Sequence, residues 1–168
     1  ALRLDRALGD FLPLVVLRKR GGAEEAVKVA DLRPGDVIIV RDQDSHADCV
    51  ALKQGLTARC QGTGKEAHCL VRIACKELET FYLADLAAVG SALDMPSLAR
   101  HQENKKFRNP DYLGSPSREL RSLTDNRYEK RAGSRAIGQH LCLNNTRSPS
   151  FRNFVSGVRR LSAELLEV

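Results

Sequence analysis

The sequence predicts a mainly β or α+β fold, with an antiparallel or mixed barrel-like β core, attached helices and a C-terminal amphipathic helix. Three observations favour this class. Short apolar runs rich in β-branched residues fill the first half of the 168-residue chain. Turn residues, rather than segments with helical periodicity, separate these runs. After a short helix-compatible run at residues 1–10, helical spacing of apolar residues begins near Leu83.

The predicted strands are short apolar runs bounded by turn residues. Four consecutive β-branched residues at 37–40 form the clearest strand. They follow a predicted tight turn at 33–36, where proline and glycine suit the central turn positions. Residues 54–65 are rich in glycine and threonine and predict a loop. Strands are expected at residues 14–17, 26–30, 37–40, 49–52, 69–75, 81–83 and 137–143.

Two segments show helical spacing. Apolar residues at 83, 86, 87, 90 and 93 predict a helix, and Pro96 marks its end or a break in it. A second helix is expected at 150–166 with Ser150 as its cap. Its apolar stripe comprises Phe151, Phe154, Val155, Val158, Leu161 and Leu165. The expected organisation is one domain, with its core at about 12–143, a basic insertion at 100–135 and the C-terminal helix.

The whole chain has a net charge of +6, and its positive charge is concentrated in the second half. Residues 1–99 hold 13 basic and 14 acidic side chains, whereas residues 100–160 hold 14 basic and 5 acidic ones. Such asymmetry is typical of a protein that binds a polyanion, although a solvated basic surface is the alternative. No apolar run approaches the roughly 20 residues of a membrane helix, so no membrane contact is expected.

The cysteines predict a reducing compartment rather than a disulfide framework. The chain has five: Cys49, Cys60, Cys69, Cys75 and Cys142. Their number is odd, and the first residues lack the pattern of a signal peptide. Cys60, His68, Cys69 and Cys75 form a candidate zinc set, but their spacing differs from the close ligand pairs of structural zinc sites. We interpret these thiols as small buried side chains and expect no metal or cofactor.

Catalytic motifs are weak. Residues 62–65, Gly-Thr-Gly-Lys, resemble a phosphate-binding loop. However, that motif needs glycine where Arg59 stands and serine or threonine where Glu66 stands. The sequence therefore predicts no nucleotide-binding loop of this kind.

Other polar groups offer alternative sites. A histidine and a cysteine lie close together at His46 and Cys49, and again at His68 and Cys69, as a base and nucleophile would. Asp42 and Asp44 could place two carboxylates beside a divalent cation, with a solvated loop as the alternative. We interpret all of these residues as structural or solvated. The prediction is a protein that is not an enzyme.

A family resemblance comes from segments that follow one another in order. The first, Leu-Arg-Pro-Gly-Asp-Val-Ile-Ile-Val at 32–40, precedes an acidic loop and Ala-Asp-Cys-Val-Ala-Leu at 47–52. The second spans residues 69–80, and the third combines residues 118–120 with 136–143. Together they resemble the bromo-adjacent homology (BAH) domain, in its origin-recognition and silencing branch. The family's central tryptophan is missing, so an aromatic cage for methyl-lysine is not expected.

The resemblance implies a nuclear, non-enzymatic module that binds nucleosomes through histones or DNA. It also implies that the C-terminal helix could contact other subunits of a chromatin complex. Arginine and lysine in the basic region would pair with phosphates or acidic histone surfaces. The candidate contact residues are Lys105, Lys106, Arg108, Arg118, Arg121, Arg127, Lys130, Arg131 and Arg135.

Three alternatives remain open at this point. The first is an RNA-binding structural protein of a large ribonucleoprotein, such as an organellar ribosome, for which the expected location is mitochondrial. The second is an enzyme that uses one of the histidine–cysteine pairs. The third follows from residues 31–37 and 47–48, which are also similar to the actuator domain of P-type ATPases. That domain has a Thr-Gly-Glu loop, whereas Lys65 follows Thr63 and Gly64 here.

Overall fold

The computed structural model describes residues 14–17, 37–62 and 69–166, and these residues form one parallel sheet flanked by helices. Strands β1 (Leu14–Leu17), β2 (Val37–Asp42) and β3 (Cys69–Ala74) lie in the order β1-β2-β3. Both neighbouring pairs are parallel, and Ile38 of β2 pairs with Leu14 and Leu70. The strands predicted at 14–17, 37–40 and 69–75 are therefore confirmed. The strand predicted at 26–30 and the turn at 33–36 lie outside the described residues.

The predicted antiparallel or mixed barrel-like β core is wrong. Parallel neighbours need a crossover connection, and helix α1 (Cys49–Gln61) supplies it between β2 and β3. The fold is therefore of the α/β type. Strands that are covered on both faces have continuous apolar runs, and such runs do not show whether neighbouring strands are parallel or antiparallel. The part of the chain that the structure describes contains a three-stranded parallel sheet and no β barrel.

Side chains of the sheet alternate between two apolar cores. Ile39 and Val71 point to one face, where they pack with Leu56 and Cys60 of α1. Their neighbours Ile38, Val40 and Leu70 belong to the larger core on the other face. Among the described helices, this period of two places α1 on one side of the sheet and the later helices on the other.

The second half of the chain is a succession of short helices. The α-helices are α2 (Glu79–Leu83), α3 (Leu86–Leu93), α4 (Pro116–Leu123), α5 (Lys130–Gly138) and α6 (Pro149–Leu166). Between α3 and α4 lie 3-10 helices at Pro96–Glu103, Lys105–Phe107 and Pro110–Tyr112. Phe107, Leu120 and Tyr128 are buried in the larger core. The basic segment 100–135 thus contributes side chains to the core instead of looping away from it.

Several predicted elements have the wrong type. Residues 49–52 and 81–83, predicted as strands, belong to α1 and α2, and the predicted loop at 54–65 is helical as far as Gln61. Asp48 starts α1, because its Oδ1 accepts the amide hydrogens of Val50 (2.7 Å) and Ala51 (3.1 Å). The strand predicted at 137–143 begins on the last residues of α5 and has no strand partner among the described residues.

Both predicted helices are confirmed. α3 ends at Leu93, before Pro96, and α6 covers the C-terminal stripe. Ser148 rather than Ser150 caps α6, since its Oγ accepts the amide hydrogen of Phe151 at 3.1 Å. Four side chains of the stripe are buried in the larger core: Phe151, Phe154, Val155 and Val158. None of the described helices is long and apolar enough to cross a membrane.

Two glycines should respond to alanine in opposite directions. A Cβ at Gly90 would lie 2.7 Å from the backbone oxygen of Met95, so Gly90→Ala should lower the free energy of unfolding by about 2 kcal/mol. Gly55 lies on the exposed side of α1 with no atom within 4 Å of that position. Gly55→Ala should raise the free energy of unfolding by about 0.5–1 kcal/mol. Urea unfolding of both variants checks this, and stabilisation by both would contradict the close approach at Gly90.

Candidate functional site

A groove between α4 and α5 gathers part of the predicted basic surface. Its volume is about 610 Å³. The residues that line it are Ser117, Arg118, Arg121, Ser122, Asn126 and Lys130. Three of these side chains are cationic and the other three are polar. We call this feature the basic groove.

Local sequence places the two arginines on one side of α4. Pro116 and Leu120 are buried and lie four residues apart, so they fix the face of α4 that packs on the core. Arg118 and Arg121 lie three residues apart on an exposed face of the same helix. The sequence of α4 therefore directs both guanidinium groups into the groove.

A tight turn brings Lys130 opposite α4. Asp125 and Asn126 have positive φ values of 48° and 62°, which reverse the chain after α4. Thr124 holds the turn, since its Oγ accepts the amide hydrogen of Tyr128 at 3.2 Å. The buried Tyr128 ring packs against Gly133 of α5, where a Cβ would lie 2.6 Å from Cδ2. This packing sets the start of α5, and with it Lys130, at the groove wall.

The other predicted contact residues do not line the groove. All of them are described and exposed: Lys105, Lys106, Arg108, Arg127, Arg131 and Arg135. Lys106 forms an ion pair with Glu119 at 2.6 Å, and the Arg108 Nε donates to the Glu103 backbone oxygen at 3.1 Å. Of the nine predicted contact residues, Arg118, Arg121 and Lys130 line the groove. The charge pattern of the sequence does not distinguish these three from the other six.

Carboxylates collect at the carboxyl end of β2 and β3. Asp42 ends β2, Asp44 follows it, and Glu77 and Glu79 come soon after β3. We call these four residues the acidic edge. The Asp42 Oδ1 accepts the Leu78 amide hydrogen at 2.8 Å, which ties the two strand ends together. The ends of parallel strands are where α/β proteins commonly bind ligands, so this edge is part of the candidate site.

Burial and neighbouring negative charges raise the pKa of one carboxyl of the acidic edge, Asp42. The pKa of Asp42 is raised from 3.8 to about 6. Burial is the largest cause, and the negative charges of Glu79, Asp44 and Glu77 contribute the rest of the increase. Buried Glu79 accepts a hydrogen bond from the Tyr128 hydroxyl at 3.0 Å. Burial, and next the charge of Glu79, raises the pKa of Tyr128 well above its ordinary value. Tyr128 therefore remains a neutral donor to Glu79.

Three contacts, made by Glu77 and Glu79, join the acidic edge to the basic groove. Glu77 accepts from the Ser117 amide at 2.6 Å and from the Ser117 hydroxyl at 3.0 Å. Glu79 Oε1 lies 3.8 Å from the Lys130 Nζ. Ser117 and Lys130 both line the groove, so acidic and basic surfaces meet along this line.

The possible metal sites receive no support from the arrangement of these side chains. Among the described residues, no group of three or more His, Cys, Asp or Glu side chains is placed to hold a metal ion. Asp42 and Asp44 form part of a larger acidic edge instead of a solvated loop, and Asp44 Oδ2 lies 3.8 Å from Arg41. His68, one member of the candidate zinc set, lies outside the described residues.

The cysteines are free thiols, and two of them share a second cavity of about 530 Å³. Cys49 and Cys75 line it together with residues of α1, β3 and α6. Burial raises the pKa of the Cys75 thiol to about 11, with a smaller contribution from Asp111. A thiol held protonated in this way is a poor nucleophile at neutral pH.

Sequence analysis missed the acidic partners of the groove. Glu77, Glu79, Ser117 and Asn126 are absent from the predicted contact residues, because the charge pattern that predicts those residues counts cations alone. The available signal was carboxylates after two apolar strands, at 42–44 and 77–79. That signal has meaning only if the strands are parallel neighbours, because their carboxyl ends then meet at one edge.

Comparison with known proteins gives one finding at the level of a family. A family model described as a domain of unknown function (DUF4276) matches residues 16–159. No curated protein and no solved structure matches the chain. The match spans β2, β3 and the residues of both the basic groove and the acidic edge.

Proposed function

The chain belongs to the family described as a domain of unknown function (DUF4276), and we propose from its own residues that it binds the phosphate backbone of a nucleic acid in the basic groove. One observation carries this proposal. Arg118, Arg121 and Lys130 converge from two helices on one open groove of about 610 Å³. Guanidinium and ammonium groups arranged in this way pair with phosphate oxygens.

The groove favours recognition of the backbone over recognition of bases. Binding to unpaired bases uses exposed aromatic side chains on which the bases stack. Among the described residues, the large exposed apolar side chains are Val50 and Tyr112, and neither lines the groove. Its lining offers charge and hydrogen bonds from Ser122 and Asn126 instead. Contacts of this kind fix the position of a nucleic acid and carry little sequence information.

Nucleosomal DNA and duplex RNA are the two ligands that the sequence suggested, and both present the same phosphate chemistry. We take duplex DNA, free or in nucleosomes, as the first ligand to test. The groove is formed by α4, α5 and the turn between them, so binding of phosphates there requires no β barrel. It describes a binding module, with equilibrium binding as its mechanism.

The test is a pair of double variants with the same change in net charge. Arg118→Gln with Arg121→Gln should weaken binding to duplex DNA at least tenfold at about 50 mM salt, because two phosphate contacts are lost. The slope of log affinity against log salt should fall by about 2. Fluorescence anisotropy at about 50 and 200 mM salt measures both quantities.

The control is Lys105→Gln with Arg135→Gln, which removes two predicted cations that do not line the groove. It should change the affinity less than threefold, by the general screening of exposed charge. Equal losses in the two double variants would show that net charge, rather than the groove, carries the binding. Mononucleosomes and duplex RNA are titrated in parallel, and tighter binding to RNA would favour the ribonucleoprotein alternative.

A further inference from the structure

The acidic edge lies against the wall of the basic groove, where it affects any anion bound there. We propose that the carboxylates of the acidic edge oppose the phosphates of the ligand, so that protonation of this edge strengthens binding in the groove. This inference rests on the proposed function, because it needs a polyanion in the groove. It adds regulation of the site by pH.

The contacts set the distance over which the two surfaces interact. Lys130 Nζ lies 3.8 Å from Glu79 Oε1. A phosphate that contacts Lys130 is therefore separated from the Glu79 carboxylate by little more than the ammonium group. Glu77 also borders the groove, because it accepts hydrogen bonds from the backbone amide and the hydroxyl of Ser117, which lines the groove. One charge about 10 Å from a phosphate, at a dielectric between those of protein surface and water, changes affinity about fourfold.

Asp42 is the member of the edge whose charge changes in an accessible pH range. Burial raises its pKa to about 6, with Glu79, Asp44 and Glu77 adding to the effect. Backbone phosphates stay ionised over this range, so a change in binding reports on the protein. The charges of Glu79, Asp44 and Glu77 act on the Asp42 carboxyl. Arg41 precedes Asp42 on β2, and its Nη1 lies 3.8 Å from Asp44 Oδ2. Tyr128 and Lys130 contact Glu79. His46 and Lys76 lie in the segments that follow β2 and β3.

The experiment measures anisotropy of a labelled short DNA duplex at low salt, at about pH 5 and about pH 8. Asp42→Asn keeps an oxygen that can accept the Leu78 amide hydrogen, but it carries no charge at either pH. At about pH 8 this variant should bind about fourfold more tightly than the unmodified chain. At about pH 5 the two should bind equally, because Asp42 is then largely protonated.

A matched control separates the acidic edge from net charge. Glu103→Gln removes an exposed carboxylate that pairs with Arg147 and lies outside the edge. It should change the affinity less than twofold at both pH values. Other groups that titrate between the two pH values are present in every form of the protein, so their effect cancels in the comparison at each pH.

Glu77→Gln provides a second variant in case Asp42→Asn folds poorly. Its amide oxygen can still accept from Ser117, and the lost charge should again tighten binding by a few-fold at about pH 8. The inference is overturned if duplex binding is present but neither variant tightens it. If no form of the protein binds at either pH, the proposed function fails, and this inference fails with it.

Discussion

Replacing Phe151 by alanine should lower the free energy of unfolding by about 4 kcal/mol. Phe151 is 1% exposed and is the first aromatic residue of α6. Its ring centroid lies 5.1 Å from that of Phe81 and 6.5 Å from that of Phe154, so it joins α2 and α6 within the larger core. The alanine would leave a cavity among side chains that belong to separate helices, where collapse is difficult.

Urea unfolding followed by circular dichroism measures this loss. The control is Tyr112→Ala, which removes an aromatic ring that is 83% exposed and should change stability by less than about 0.5 kcal/mol. A loss below about 1 kcal/mol for Phe151→Ala would contradict the packing of α6 against α2.

The stability of the folded chain should fall as pH rises from about 4 to about 6 because of Asp42. The pKa of this carboxyl is raised from 3.8 to about 6, so the folded state binds more protons than the unfolded state between these values. The shift of about 2 pKa units corresponds to at most about 3 kcal/mol, which is lost by pH 7. Partial exposure of Asp42 reduces the expected effect to about 1–2 kcal/mol.

Asp42→Asn tests this directly, because the asparagine stays neutral. The variant should match the unmodified chain near pH 4 and be more stable by about 1–2 kcal/mol at pH 7.5. Urea unfolding at both pH values gives the difference, which isolates Asp42 from the other titrating groups. A variant that is less stable at pH 7.5 would show that the Asp42 carboxylate is favourable where it lies.

Local signals in the sequence predicted the strongest elements correctly. Four β-branched residues at 37–40 form part of β2, and the apolar stripe at 151–158 lies on α6, because in both cases the pattern itself is what becomes buried. α1 was missed because its apolar residues form no stripe, and Gly55 and Thr57 resemble a loop. The pairing of β2 with β3 was missed because uniform apolar strands carry no information about direction.

The candidate site was predicted in part. Clustering of charge identified Arg118, Arg121 and Lys130, since a basic surface is visible in composition. These three cations share one groove because of the turn at Asp125 and the buried side chain of Tyr128. No local pattern in the sequence predicts that turn or that burial. Buried Glu79 was also beyond prediction, since its partners come from residues about 50 positions away.

The position of α6 has a consequence for synthesis on the ribosome. Phe151 to Val158 complete the larger core, and the Nε of Arg72 on β3 donates to the backbone oxygen of Asn153, 81 residues later. A nascent chain that has not yet emerged beyond residue 148 would leave one face of its parallel sheet without this cover. Long-range contacts of this kind form slowly and leave apolar surface open to aggregation. Completion of the larger core must therefore wait for α6, and until then the apolar side chains on that face of the sheet remain exposed.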